Sequence, residues 1–143
     1  MRISTRGRYA LRAMVDLAQH GDKGPVSRQD ISERQEISPD YVAQLFRHLQ
    51  SAGLVDGVKG PGGGSRLIHD PSLIRAGDVV RAAEGPVAVV RCTLPCPDEG
   101  SACRRVDHCV THRLWKRVSD AVTEVLDSVT LKALADEAIA LTS

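Results

Sequence analysis

With 143 residues, 42% of them hydrophobic and 26% charged, the chain suits one compact soluble domain or a small domain with an appendage. No window is apolar enough to span a membrane and no N-terminal stretch resembles a signal peptide, so a membrane reading is excluded and a cytoplasmic protein is expected. Only 3% of residues are aromatic, so the core must come from Leu, Val, Ile and Ala, which favours helices packed on helices; the net charge of +1 decides nothing about nucleic acid.

The distribution of charge is more telling. The first twelve residues, MRISTRGRYALR, hold four arginines and no acid. Arg2, Arg6 and Arg8 are candidate phosphate contacts, against the simpler reading of a solvated helix start. Residues 5–20 read as a helix, because Ala10, Met14, Leu17 and Ala18 form one apolar stripe and Gly21 can end it. Ser27 followed by Asp30 resembles a capping box for a short helix near Arg28–Gln35. A tight connection at Ile37 leads to Ser38-Pro39, an N-cap followed by proline at the first helical position. The helix that follows carries Val42, Leu45, Phe46 and Leu49 on one side and should stop near Gly53.

Two β-prone runs, Leu54–Val58 and Ser65–Ile68, flank a glycine-rich loop and predict a hairpin. A short helix is expected around Asp78–Ala83, then a β-prone run at Val87–Arg91. The segment after it is irregular and holds all four cysteines. From Val110 to about Val129 the helical period returns, and Thr130 should cap a final helix at Leu131–Ala140. The expected fold is mostly α with a small β-hairpin wing: a winged helix-turn-helix plus a long C-terminal dimerisation helix. Its parts are a winged helix-turn-helix at 1–70, a connecting region with the cysteine-rich loop at 71–109, and the dimerisation and final helices at 110–143.

This pattern suits a DNA reader. A short amphipathic third helix can pack one face on the core and present the other to the major groove. Its outward candidates are Ser38, Asp40, Tyr41, Gln44, Arg47 and His48. Gln and Arg can bond base edges in pairs, while Ser and Tyr reach phosphates. Arg28 is a further candidate at the start of the preceding helix. The hairpin tip offers Lys59, Gly62, Gly63, Ser65 and Arg66, cations on a backbone with few side chains to obstruct a groove. A plain turn is the bland alternative; a P-loop is not, because GxxxxGK[ST] is absent and no helix follows.

Cys103, Cys109 and His112 have the spacing C-x5-C-x2-H, with Cys92 and Cys96 upstream. Thiolates are the usual ligands of iron–sulfur clusters, and histidine can replace one of them. The same donors also make a tetrahedral zinc site, and Cys92 with Cys96 can make a thiol switch. His112 lies one helical turn after Cys109, so both can face one ion. The long helix has apolar residues on more than one face, which predicts a two-fold homodimer reading a pseudo-palindromic site on double-stranded DNA. No nucleophile–base pair and no cofactor fingerprint supports an enzyme or a small-molecule substrate.

GRYALRAMVDLA, ISERQEIS, YVAQLFRHLQSAGLV, VKGPGGG and CVTHRLW resemble, in the same order, stretches of the IscR-type winged-helix transcription regulators, related to NsrR and CymR. The resemblance implies a dimeric repressor or activator, in a family that includes iron–sulfur and nitric-oxide sensors and members without a cluster. It also implies a 2Fe–2S cluster held by three cysteines and a histidine, which Cys103, Cys109 and His112 match. The first ligand is Cys92 by context or Cys96 by spacing. Ala43 stands where some relatives carry an acidic residue, which implies a different operator preference.

Overall fold

The computed structural model describes residues 3–89, 93 and 109–142. In chain order these form α1 (Thr5–His20), α2 (Arg28–Gln35), α3 (Pro39–Ser51), β1 (Val55–Val58), β2 (Gly64–Leu67), α4 (Ala76–Glu84), α5 (Val110–Ser128) and α6 (Leu131–Thr142). Short 3-10 turns lie at Gly21–Lys23 and Pro71–Leu73. The mostly α, winged helix-turn-helix architecture is the expected one.

Local chemistry sets the helix ends. Ser27 Oγ accepts the Asp30 amide at 3.1 Å and opens α2. Ser38 Oγ accepts the Tyr41 amide at 3.2 Å and opens α3, with Pro39 in the first turn. Between them Glu36 takes the left-handed conformation, φ 56°, and the Ile37 amide bonds the Ser32 carbonyl at 3.2 Å. That is the tight connection between the two helices. α4 runs longer at both ends than expected, because Asp78 Oδ2 accepts the Arg75 amide at 2.9 Å and stabilises an earlier start. Thr130 Oγ1 accepts the Ala133 amide at 3.1 Å and opens α6.

β1 and β2 pair antiparallel, with Val55 opposite Leu67 and Val58 opposite Gly64. Val26, just before α2, adds an isolated bridge to Ser65, with the Val26 amide donating to the Ser65 carbonyl at 2.9 Å and the reverse bond at 2.8 Å. A Cβ at Gly64 would stand 2.2 Å from the Val26 carbonyl oxygen, so only glycine lets the wing lie this close.

The core is aliphatic. Ala10, Met14 and Leu17 of α1 are buried with Val42, Leu45 and Leu49 of α3, Ile74 and Val79 near α4, and Leu131 of α6. α6 therefore returns to pack on α1, which also packs against α4. Fully burying each such aliphatic side chain contributes about 1.5–3 kcal/mol. Two polar links tie elements to this core. Asp16, 1% exposed, accepts from Arg34 Nε at 2.9 Å, Arg34 Nη2 at 2.7 Å and Gln35 Nε2 at 2.9 Å, fastening α2 to α1. That contact holds the Arg34 guanidinium above its ordinary pKa, chiefly through the Asp16 hydrogen bond. Arg81 of α4 bonds Asp127 of α5 at 2.8 Å and Asp78 at 3.1 Å, and its pKa rises for the same reason.

One expectation fails where it can be seen. Residues 87–89 of the β-prone run Val87–Arg91 form no strand; the Val89 amide donates to Ser119 Oγ on α5 at 2.9 Å. No described sheet edge lies beside this run, so its amide finds a side chain instead. Val90 and Arg91 lie outside the described residues.

Candidate nucleic-acid interface and the cysteine–histidine segment

α3 buries Val42, Leu45, Phe46 and Leu49 and leaves Gln44, Arg47 and His48 exposed. A groove of about 710 Å³ runs between α3, the start of α2 and the wing. Arg28, Arg47, Lys59, Gly63 and Ser65 line it, so five of the expected DNA contacts share one concavity. Its cations come from three separate elements, the arrangement that suits a polyanion.

Among the lining residues that were not expected contacts, Gln29 and Gln50 carry exposed polar side chains. A signal for Gln50 exists: Ala43, Arg47 and Gln50 recur at four- and three-residue steps along α3 and share one face. Gln29 follows Arg28 in the first turn of α2.

The other expected contacts lie elsewhere. Ser38 is exposed at the N-cap of α3, with Asp40 exposed in the first turn. Tyr41 is half-buried, its ring edge-on to Tyr9 with centroids 5.8 Å apart. Arg12 stacks over the same Tyr9 ring at 5.3 Å. Gly62, φ 76°, forms the exposed wing turn. Arg66 follows Ser65 on β2 and so points to the opposite face, pairing with Asp56 at 3.2 Å. That exposed pair is worth about 0–1 kcal/mol, so a phosphate can compete for the guanidinium. Arg6 and Arg8 are exposed on α1 and do not line the groove; Arg6 Nη1 donates to the Ala83 carbonyl at 3.3 Å. Beside it the Glu84 carboxylate accepts the Gly7 amide at 3.0 Å and the Ser4 hydroxyl, capping α1 from α4. Arg2 lies outside the described residues.

Of the cysteine–histidine set, Cys109 and His112 are described; Cys92, Cys96 and Cys103 lie outside the described residues. Cys109 is the N-cap of α5, with its Sγ 3.0 Å from Thr111 Oγ1. His112 is half-buried in the first turn. The positive end of a helix favours a thiolate, the form that binds metal. The two donors thus fit a metal or cluster site in type and spacing. α5 buries Ser119 alone and exposes Val110, Leu114, Trp115 and Val125, a large apolar surface for one helix.

The comparisons with known proteins agree with this geometry. Residues 3–137 match the Rrf2 family model, described as iron-dependent transcriptional regulator. The chain is 44% identical over 134 residues to the HTH-type transcriptional regulator IscR of Escherichia coli O1:K1, covering 94% of this chain and 80% of that protein. Among solved structures it is similar to CymR, the global cysteine regulator of B. subtilis, with a TM-score of 0.77, 39% identity and coverage of 96% and 98%. It is also similar to IscR of T. potens, with a TM-score of 0.76, 38% identity and coverage of 96% and 88%. These relatives are regulators rather than enzymes, and among the described residues no helix is long and apolar enough to cross a membrane. A winged helix-turn-helix with a basic groove, matched over nearly its whole length, belongs to the Rrf2 family of transcriptional regulators, and it is of the IscR type.

Proposed function

We propose that this regulator binds a pseudo-palindromic DNA operator as a homodimer and adjusts that binding to the state of an iron–sulfur cluster, a 2Fe–2S centre. The observation that carries the reading is the pairing of Cys109 and His112 at the start of α5, the helix whose exposed apolar residues call for a partner. α3 enters the major groove, Gln44 and Arg47 address base edges, and Arg28, Lys59 and the wing backbone hold phosphates. Cys109, His112, Cys103 and Cys92, with Cys96 as alternative, would hold the cluster. When bound, the cluster supplies a one-electron redox change and can be lost on iron limitation, oxidation or nitrosylation. The chain's part is to tie those ligands to the dimer helix, so that a change at the site favours one dimer pose over another.

The test is anaerobic purification with iron and sulfide, followed by operator affinity of the loaded, reduced and metal-free forms at fixed salt. Red-brown protein with affinities that differ between forms supports the reading; equal affinities refute sensing. The second reading, a zinc or thiol site without a cluster, is favoured by the similarity to CymR, one solved form of which is described as oxidized. Colourless protein with stoichiometric zinc, or a Cys92–Cys96 disulfide that changes affinity, would decide for it.

A further inference from the structure

α5 buries one residue, and that residue is polar: Ser119, 4% exposed. A serine within a helix usually turns its hydroxyl back to the carbonyl four residues earlier or out to water. Here Oγ accepts the Val89 amide at 2.9 Å and lies 3.3 Å from Thr93 Oγ1. The two partners lie between α4 and α5 in the chain. In the sequence they flank Cys92.

Ser119 follows His112 by seven residues on α5, so the two lie on nearly the same helix face, roughly 10 Å apart along the axis. The face that carries the histidine donor is therefore the face that holds the segment at Val89 and Thr93. The bonds join positions 30 and 26 residues apart in the chain. Together, at a part-buried contact, they fix where Val89 and Thr93 meet α5.

We propose that Ser119 is a positioning residue: its buried hydroxyl, bonded to Val89 and Thr93, holds the chain entering the cysteine segment against α5. It is a second link, beside Cys109 and His112 at the start of α5 itself, through which a change at the cysteine–histidine site reaches the dimer helix. This rests on the metal-dependent reading above for its second half; the anchoring itself does not. Ser119→Ala removes both bonds with little change in volume. Ser119→Thr keeps the hydroxyl. Thr123→Ala, one turn further on, removes a hydroxyl that bonds only the Ser119 carbonyl, at 2.9 Å, and serves as a control.

The first measurement is amide hydrogen exchange at Val89 in metal-free protein. Ser119→Ala should speed exchange about tenfold, about 1.4 kcal/mol of lost protection, while Ser119→Thr and Thr123→Ala stay near wild type. Unchanged exchange in Ser119→Ala overturns the anchor. The second measurement is the rate at which a chelator strips iron, or zinc, from the loaded dimer, together with the ratio of loaded to metal-free operator affinity. Ser119→Ala should release metal several-fold faster and bring that ratio towards one, with Ser119→Thr restoring both. Release and ratio equal to wild type overturn the link even if exchange has changed. Wild-type protein that retains neither iron nor zinc overturns the metal-dependent reading and the link with it, while exchange at Val89 still decides the anchor.

Discussion

The contact between Asp16 and Arg34 predicts an asymmetry that simple burial would reverse. Asp16 is 1% exposed and accepts three hydrogen bonds, whereas the Arg34 side chain is 36% exposed. Asp16→Ala removes the buried charge along with its bonds. What remains is a guanidinium that water can reach, a Gln35 amide short of one acceptor, and a small cavity. Hydrogen bonds to charged groups are worth about 1.5–3 kcal/mol each, but the recovered cost of dehydrating the carboxylate offsets much of that, leaving a loss of about 2 kcal/mol. Arg34→Ala removes the more exposed residue but strands an ionised carboxylate in the core, which costs about 3–5 kcal/mol. The surface substitution should therefore destabilise more than the buried one.

Urea unfolding followed by far-UV circular dichroism measures both, with a constant slope confirming that the unfolded state is unchanged. An Arg34→Ala loss below about 1 kcal/mol, or one smaller than that of Asp16→Ala, refutes the reasoning.

Other expectations follow from the same geometry. Glu36 sits in the left-handed region at the helix-turn-helix connection, so Glu36→Gly should stabilise the fold by about 0.5–1 kcal/mol, read as a rise in thermal midpoint. Gly64→Ala places a methyl against the Val26 carbonyl and should weaken operator binding through the wing while the helical signal persists. Arg47→Ala should cost about 1–3 kcal/mol of operator affinity, and Arg66→Ala less, because Arg66 lies on the far face of β2. Asp70 sits below the usual carboxylate range through bonds from the Ser72 hydroxyl and amide. Its contribution is present above the ordinary carboxylate pKa and is lost as pH falls through the depressed one. The midpoint difference between wild type and Asp70→Asn should accordingly vanish in acid.

The helices were legible because their signals are local. The α1 stripe, the Ser27 and Ser38 caps and the Pro39 start each involve residues within one or two turns. The hairpin was legible from its glycines, although β2 starts at Gly64 and β1 at Val55. What stayed hidden depends on partners far along the chain. Asp16 falls beside Leu17 on an otherwise apolar face, and nothing near it announces Arg34. Residues 87–89 of the β-prone run are strand-like but have no sheet edge beside them among the described residues, and the Val89 amide finds a serine thirty positions on. The groove was half legible: Arg47 follows from helical period, whereas Gln44, exposed on the same helix, does not line it, and Arg28 shares it with Lys59 across a hairpin that the Val26–Ser65 bridge ties to the start of α2. For the candidate metal donors, the return of the helical period placed Cys109 and His112 at the start of α5.

α6 completes the core that α1 begins, since Leu131 is fully buried among residues of the winged module. During synthesis the first hundred residues therefore emerge with an open seam where α6 belongs. Domains mature as units once their packing partners are available. The winged module of this protein closes only after the ribosome has released the whole of α5, so a nascent chain cannot complete its core before that helix exists.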